Sequence, residues 1–387
     1  MTRPIDTEPH LAALLEQRKA RRAAPPYIPQ VDSEVRGLLE KFFAREEPGA
    51  TIGDVSRLGG GASKEQFVFS LTTKGGEPQR YVLRMDPEEA ITETSRSREW
   101  DVLRAMKGVV PVPQPIWIDA EGSTFPRPAL IMEMMPGSPK PTSLDLSVTG
   151  LGTVLGDPLR DTIRPQYLDM LVAIHNFDWR SADLPSFAAP EEGGDADPKQ
   201  ATRWLIGFWK ELLEQDAVAK EPVIRLATQW LEANIPDCDE LSLVHGDFRT
   251  GNYLFDEATG EVTALLDWEM SYIGDRHADF GWLLQPVFGT VIDGTFRASD
   301  IFAGEDDFIA AYEAAGGRPV DRKRLQYFTV FNNWKSYILV SVLGMRAAKE
   351  AHNHQDVLLT FLAATGPQFV DELARLLTID LGQGDAS

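Results

Sequence analysis

Cysteine is nearly absent from this sequence, which has only Cys238 in 387 residues. A single cysteine cannot form a disulfide within the chain, so a disulfide framework is excluded and a reducing, cytoplasmic location is expected. Long hydrophobic runs are absent as well. The run YILVSVLGM at 337–345 is too short for a membrane-spanning helix, and the start, MTRPIDTEPH, lacks the apolar core of a secretory signal. We therefore expect a cytoplasmic protein with no membrane partner.

Positive charge is also scarce, with 38 Lys and Arg against 59 Asp and Glu and a net charge of −21. The excess is uneven, because residues 1–135 have a net charge of −2 and the remainder has −19. A field this negative repels nucleic acid and anionic membranes, so no nucleic-acid partner is expected. On the C-terminal part it either favours a cationic ligand or serves only solubility.

The length and composition predict a folded protein with more than one core. A chain of 387 residues exceeds the size at which a single core keeps growing, so two lobes or domains are expected. The share of hydrophobic residues, 43%, and of charged residues, 25%, is typical of globular proteins and excludes a disordered chain.

Local patterns place the β-structure in the first third of the chain. Residues 51–84 and 111–137 contain alternating apolar and polar runs joined by turns with Gly and Pro, which predict antiparallel strands. Helical periodicity predicts helices at 8–22, 32–46 and 94–108.

After Pro136 the helical period dominates. Segments 142–163 and 186–199, rich in Gly, Pro and Asp, are predicted to be loops. The predicted helices are 164–179, 201–215, 223–235, 306–317, 322–351 and 356–377, the last broken at Gly366-Pro367.

These patterns predict an α+β, bilobal architecture with a small β-rich N-lobe and a larger, mainly helical C-lobe. The expected divisions are an N-terminal extension and helix at 1–48, the N-lobe at 49–136 and the C-lobe at 137–387.

One stretch in the helical part is different. Residues 244–269 read VHGDFRTGNYLFDEATGEVTALLDWE, in which two apolar runs flank a turn containing Gly260. A hairpin there would bring Asn252 and Asp267 together, with Asp247 within loop reach. An amide oxygen and a carboxylate suit Mg²⁺, and a second carboxylate could accept a proton from a hydroxyl. These are the parts of a phosphoryl-transfer site, and the spacing matches the kinase pattern H-R-D-x-x-x-x-N followed by a metal-binding Asp.

The motif resembles the aminoglycoside phosphotransferase and choline kinase-like family. The resemblance runs from about residue 50 to 350, and HGDFRTGN, LLDWE and GDRHADFGWLL at 245–284 carry it most specifically. Within the family the chain is most similar to phosphotransferase domains that occur alone or fused to acyl-CoA dehydrogenases, as HGDFR and AYEAAGGRPVD at 311–321 indicate. The resemblance implies a protein-kinase-like fold and ATP-dependent phosphorylation of a small-molecule hydroxyl.

The resemblance also implies roles for individual residues. Asp247 would be the catalytic base, and Asn252 and Asp267 would hold Mg²⁺. Asp275 and Asp279 would either support the site or serve as helix caps and ion-pair partners.

Two more residues of the loop lie beside Asp247 in the sequence, and their positions imply further roles. His245 would brace the loop through hydrogen bonds. Arg249 would either contact a phosphate or an anionic substrate, or neutralise nearby carboxylates.

The nucleotide would lie against LGGGASKEQF at 58–67, between two predicted strands. Glycines let backbone N–H groups approach phosphate oxygens, so Gly60, Gly61 and Ser63 are predicted phosphate contacts. Lys64 would either add a charge near the γ-phosphate or point away.

Three further elements complete the predicted ATP site. Arg84 would take the place of the kinase lysine on the third strand and pair with Glu99, although Glu99 could instead be a surface residue. The backbone groups of Glu133 and Met135 in the lobe connector would meet the adenine edge.

The acceptor is left open by the sequence. The charge of −19 suits an amine-bearing acceptor such as an aminoglycoside or choline, whereas the subgroup resemblance implies a hydroxyacyl-CoA or another lipid-derived alcohol. Trp204, Trp209, Trp282 and Trp334 would line an apolar pocket or belong to the core.

Three rival classes remain beside a small-molecule kinase. They are a catalytically dead nucleotide-binding module, a metal-dependent hydrolase and a protein kinase. Against the hydrolase, the sequence has no histidine cluster. Against the protein kinase, it has no A-P-E segment after Asp267.

Overall fold

The structure is a computed structural model that describes most of the chain. The described residues are 5–21, 28–59, 63–87, 92–143, 153–193, 196–217, 220–238, 240–292, 294–350 and 355–383. Gly60 and Gly61, two of the predicted phosphate contacts, lie outside them.

The N-terminal part forms one antiparallel sheet of five strands in the order β1-β2-β3-β5-β4. The strands are β1 Thr51–Arg57, β2 Glu65–Thr72, β3 Gln79–Met85, β4 Pro115–Asp119 and β5 Ala129–Glu133. Arg84 lies in the central strand β3, opposite Gln66 of β2 and Leu130 of β5. The centre of the sheet therefore fixes the position of the predicted phosphate-binding arginine.

Two helices flank this sheet. Helix α2, Asp32–Glu46, buries Val35, Leu39 and Phe43 in the core cluster that also contains apolar residues of β2, β3 and β5. Helix α3, Arg96–Ala105, begins where the Ser95 side chain accepts a hydrogen bond from the backbone N–H of Arg98.

The C-terminal part is mainly helical. Its helices are α4 Asp157–His175, α5 Gln200–Asp216, α6 Pro222–Ala233, α7 His277–Leu283, α8 Glu305–Ala314, α9 Arg322–Tyr337, α10 Met345–Glu350, α11 Asp356–Ala363 and α12 Gly366–Gln383. The N-terminal helix α1, Pro9–Arg21, joins this part of the molecule, because Leu15 is buried in the same core cluster as Phe208 of α5 and Phe331 of α9. No described helix is long and apolar enough to cross a membrane.

Two short strand pairs hold the loop that carries the predicted base. Strands β6 Ser242–Val244 and β9 Tyr272–Gly274 pair antiparallel, and so do β7 Tyr253–Phe255 and β8 Val262–Leu265. The second pair is the predicted hairpin, in which Tyr253 faces Leu265. A further pair, β10 Thr290–Ile292 and β11 Thr295–Arg297, lies between α7 and α8.

The bilobal α+β prediction is confirmed, but several local assignments were wrong. The predicted loop 142–163 is helical from Asp157, because Pro158 presets the first helical turn and Ile163 is fully buried. The helix predicted at 164–179 ends at His175, and the one predicted at 322–351 changes to a wider π-helical winding at 338–344.

Candidate active site

The hairpin brings two of the predicted functional side chains together. Asn252 precedes β7 and Asp267 follows β8, and the backbone N–H of Leu266 donates to the carbonyl of Asn252 over 2.7 Å. The ends of the hairpin therefore meet where the sequence predicted a metal site.

The buried Asp279 on α7 fixes the loop from His245 to Asp247 through hydrogen bonds to its backbone. Its carboxylate accepts hydrogen bonds from the backbone N–H groups of His245, over 2.9 Å, and Gly246, over 2.8 Å. Gly246 has φ +83°, and a Cβ at this position would lie 2.4 Å from the carbonyl oxygen of Met270. Only glycine fits this turn without strain.

Asp279 is kept ionised although it is fully buried. Burial acts to raise its pKa, but the hydrogen bond from His175, over 3.1 Å, and the nearby His245 hold the pKa below its ordinary value. Of the two roles left open for Asp279, the supporting one is seen: its charge is used to fix the loop. Asp275 instead pairs with His277 and Arg324, at 2.7 and 2.8 Å.

His245 joins the loop to the hairpin as a neutral ring. Its Nδ1 accepts from the backbone N–H of Asp247 over 3.2 Å, and its Nε2 lies 3.0 Å from the carbonyl oxygen of Leu266. One tautomer, protonated at Nε2, satisfies both bonds. Burial lowers the pKa of His245 and favours this neutral form. The expected bracing role is therefore what the geometry supports.

The Asp247 carboxylate accepts three side-chain hydrogen bonds. Oδ1 accepts from Nε1 of Trp282, over 2.7 Å, and from Nε of Arg249, over 3.0 Å, while Oδ2 accepts from Nδ2 of Asn252 over 2.7 Å. The side chain retains 17% exposure. It is thus oriented from three sides and still accessible to a hydroxyl group.

Asn252 and Asp267 offer a fitting pair of oxygen donors for Mg²⁺. The Asn252 amide nitrogen is used on Asp247, so its oxygen is the atom that faces other ligands. Asp267 takes the left-handed conformation, φ 59° and ψ 51°, which aspartate tolerates better than most residues, and its side chain is 36% exposed. In the described part of the chain no group of three or more His, Cys, Asp or Glu could hold a metal alone. An ion here would complete its ligands from phosphate and water, as Mg²⁺ commonly does.

Arg84 connects this pair to the N-lobe. Its guanidinium lies 2.8 Å from Asp267, 3.3 Å from Glu99 and 3.6 Å from Glu269. The predicted contact between Arg84 and Glu99 is confirmed, and the alternative of a surface glutamate is wrong, because Glu99 is 1% exposed.

A buried ionic network surrounds Glu269, and most of it was missed at the sequence level. The carboxylate lies 3.2 Å from Arg96 and 3.4 Å from Lys64, and the Ser63 hydroxyl donates to it. Burial acts to raise the pKa of Glu269, but the charges of Lys64, Arg84 and Arg96 outweigh it and hold the pKa at about 2. The W-E pair directly after Asp267 was the signal available in the sequence.

Lys64 is part of the same network. Its buried ammonium donates to Thr94 over 2.7 Å and lies 3.2 Å from Asp86. Lys64 is therefore held inside the network, and whether it also adds a charge near the γ-phosphate stays a prediction. Ser63 is tied to Glu269, so the end of the glycine-rich loop is fastened to the segment that carries Asp267; its predicted phosphate contact stays a prediction.

The lobe connector begins at Glu133, the last residue of β5, and carries Met135. The backbone N–H of Glu133 donates to the carbonyl of Gln114 over 3.0 Å and that of Met134 to Arg80 over 3.3 Å. Met135, the next residue, has no backbone hydrogen bond with the described part of the chain. The adenine role of Glu133 and Met135 stays a prediction.

Of the four tryptophans, Trp209 and Trp334 belong to the same helical core cluster. Trp334 is fully buried in the helical core, and Trp282 is a hydrogen-bond donor to Asp247. Trp204 and Trp209 line a cavity beside the loop, which Gly246 and Lys335 also line. Lys335 is a site residue that the sequence analysis did not find, because one lysine on a long helix is typical of a solvated face.

The fold combines a five-stranded antiparallel sheet with a mainly helical part that carries the hairpin of Asn252 and Asp267. Residues 54–328, more than half of the chain, match the model described as the phosphotransferase enzyme family. The chain belongs to this family.

The relatives and solved structures agree with this assignment. The chain is 29% identical over 65% of its length to acyl-CoA dehydrogenase family member 11 of Gallus gallus, of which the match spans 31%. It resembles the structure of a provisionally named aminoglycoside phosphotransferase of Ralstonia eutropha, with a TM-score of 0.60, 22% identity and coverage of 88% of this chain and 97% of that one. For a thermostable mutant of aminoglycoside phosphotransferase APH(4)-Ia with ADP and hygromycin B, the TM-score is 0.53, the identity 18% and the coverage 87% and 98%. At these identities, the two structures show the fold alone.

Proposed function

We propose that the protein transfers the γ-phosphoryl group of ATP to the hydroxyl group of a small-molecule alcohol. Membership of the phosphotransferase family supports the reaction class. The observation that carries the proposal is the convergence of Asp247, Asn252 and Asp267 at the ends of one hairpin, with Asp247 oriented by three donors.

The chain contributes positioning and charge to an in-line transfer. Asp247 accepts the proton of the acceptor hydroxyl as the oxygen attacks phosphorus, while the bond from phosphorus to the ADP oxygen breaks. Asn252 and Asp267 would hold Mg²⁺, which neutralises phosphate charge when bound. Arg84 and the glycine-rich loop, with Gly60, Gly61 and Ser63, would hold the phosphates.

Other residues would select the ligands. Glu133 and Met135 would bind the adenine edge through backbone groups, and Glu99 would orient Arg84 toward the nucleotide. Arg249 lies 3.0 Å from Asp247, where it can contact the transferred phosphoryl group or an anionic acceptor.

A hydroxyacyl-CoA or another lipid-derived alcohol is the acceptor class that we favour over an aminoglycoside. One curated relative is named for acyl-CoA dehydrogenase, although the chain spans about a third of its length.

A nucleotide-binding module without transfer activity is the second candidate. It is favoured by one observation: Arg84 pairs directly with Asp267, so a proposed metal ligand is already engaged by a cation. Binding of Mg·ATP without turnover on any acceptor would support it.

The test is an ADP-release assay with Mg·ATP against 4-hydroxyacyl-CoAs, simple alcohols, choline, homoserine and aminoglycosides. Mass spectrometry of the product then locates the added phosphate. We expect turnover on one acceptor class with phosphate on its hydroxyl. If Mg·ATP raises the melting temperature but no acceptor is phosphorylated, the transfer proposal fails and the binding module is supported.

A further inference from the structure

We infer that Lys335, on helix α9, is a positioning residue that holds Asp247 in its reactive orientation through two separate contacts. The inference rests on the proposed function, because it assigns Lys335 a role at the same site. It starts from an ammonium group that is buried, lies next to the loop and has no carboxylate within ion-pair distance among the residues that the structure describes.

The first contact fixes the peptide group in front of the base. Nζ of Lys335 donates to the carbonyl oxygen of Gly246 over 2.8 Å. The N–H of the same peptide belongs to Asp247 and donates to Nδ1 of His245 over 3.2 Å. The peptide group between Gly246 and Asp247 is thus held at its C=O and at its N–H. Rotation of this peptide plane, which would turn the Asp247 side chain away, is therefore restricted.

The second contact acts on the carboxylate itself. Nζ of Lys335 lies 3.9 Å from the centre of the Trp282 ring, and the indole N–H of Trp282 donates to Oδ1 of Asp247 over 2.7 Å. A cation on the ring face holds the indole in place by electrostatic attraction. It also withdraws electron density from the ring, which makes the N–H a stronger donor to the carboxylate.

The environment of Lys335 does not favour a purely structural role. The residue is 4% exposed, and among the described residues no carboxylate lies within ion-pair distance of the ammonium. Burial lowers the pKa of Lys335 to about 8, while Asp247 and Asp279 act in the opposite direction, so the group is still largely protonated at neutral pH. A buried lysine with one hydrogen bond destabilises a fold relative to an apolar side chain of similar length. Its presence is explained by the loop that it holds.

The test compares Lys335→Met, Lys335→Arg and Trp282→Phe with the wild-type enzyme and with Lys323→Met, an exposed lysine on the same helix. We expect Lys335→Met to lower kcat at least about tenfold, with the KM for ATP unchanged and the melting temperature equal or higher. Lys335→Arg should retain most of kcat because it keeps the cation and a donor, and Lys323→Met should be unchanged. If Lys335 were only structural, its replacement by Met would not lower kcat and stabilise the protein at the same time.

A double substitution tests whether the two residues act in one chain of contacts. If Lys335 acts partly through Trp282, the loss of kcat in the double variant is smaller than the product of the two single losses. Unchanged kcat in Lys335→Met, or independent losses, would overturn the inference.

A readout without turnover keeps the inference separate from the proposed function. In ¹⁵N-labelled protein the Trp282 indole N–H signal, assigned through Trp282→Phe, should exchange with solvent at least about tenfold faster in Lys335→Met than in the wild type. An unchanged exchange rate would contradict the positioning role. If the wild-type enzyme phosphorylates no acceptor, the proposed function fails, and this measurement still decides whether Lys335 holds Trp282 on Asp247.

Discussion

The guanidinium group of Arg84 lies 2.8 Å from the carboxylate of Asp267, and this ion pair joins the central strand of the N-lobe to the end of the hairpin in the C-lobe. Arg84 also contacts Glu99 on α3 and Glu269, two residues after Asp267, so one buried cation meets three carboxylates from two segments. Arg84 is thus one of the side chains that link the two lobes at the site, together with Lys64 and Arg96, which contact Glu269.

Replacing Arg84 should therefore affect both stability and nucleotide binding. Arg84→Met removes one of the cations that contact the buried Glu99 and Glu269, which also contact Arg96, and breaking a buried ion pair destabilises a fold by up to about 3–5 kcal/mol. Arg84→Lys keeps a charge but not the fork of donors and should lose less. Chemical denaturation and ATP titration of both variants check this. Equal stability of Arg84→Met and the wild type would show that the ion pairs of Arg84 do not stabilise the fold.

The charge of Glu269 should appear in the pH dependence of stability. Its folded pKa of about 2 lies below the ordinary value for glutamate, so it contributes stability that is complete above about pH 4.5 and lost as the pH falls toward 2. The shift corresponds to on the order of 3 kcal/mol. We expect Glu269→Gln to be less stable than the wild type at pH 7 by an amount of that order, and the difference to narrow below pH 4.

The measurement is the free energy of unfolding between pH 7 and pH 3. Glu40→Gln, an exposed glutamate on α2, is the matched control and should follow the wild type throughout. A constant difference between Glu269→Gln and the wild type over this range would mean that Glu269 is not held ionised by the network.

The metal site gives a third prediction. Asp267→Asn should raise the Mg²⁺ concentration needed for half-maximal activity by more than about tenfold, since even substitutions next to metal ligands cost about 10–100-fold. Asparagine is the right replacement because it also tolerates the left-handed backbone at this position. Glu261→Gln, exposed at the start of the second hairpin strand, makes the same chemical change away from the site. If both variants need the same Mg²⁺ concentration for half-maximal activity, Asp267 is not a metal ligand.

The hairpin and the lobes were predictable because their signals are local. Asn252 and Asp267 flank two apolar runs and a glycine turn, so the chain itself brings them together. The β-rich first third and the helical remainder likewise follow from periodicities within single segments.

The ionic network and the loop supports were not predictable in the same way. Arg96 meets Glu269 across 173 positions of sequence, and Lys335 meets Gly246 across 89. Each charge taken alone is typical of a surface residue, and only tertiary packing buries it beside its partner. The start of α4 at Asp157 was missed for another reason: Gly and Pro residues that usually mark loops here precede and initiate a helix.

The central claim is that Asp247 is the base of a phosphoryl transfer, and one comparison of variants tests it most directly. The measurement is kcat for Mg·ATP-dependent phosphorylation of the best acceptor by the wild type and by Asp247→Asn, with nucleotide binding followed by thermal shift. The account predicts a loss of about 10²–10⁴-fold in kcat with the ATP-induced shift retained. Turnover equal to that of the wild type in Asp247→Asn would contradict it.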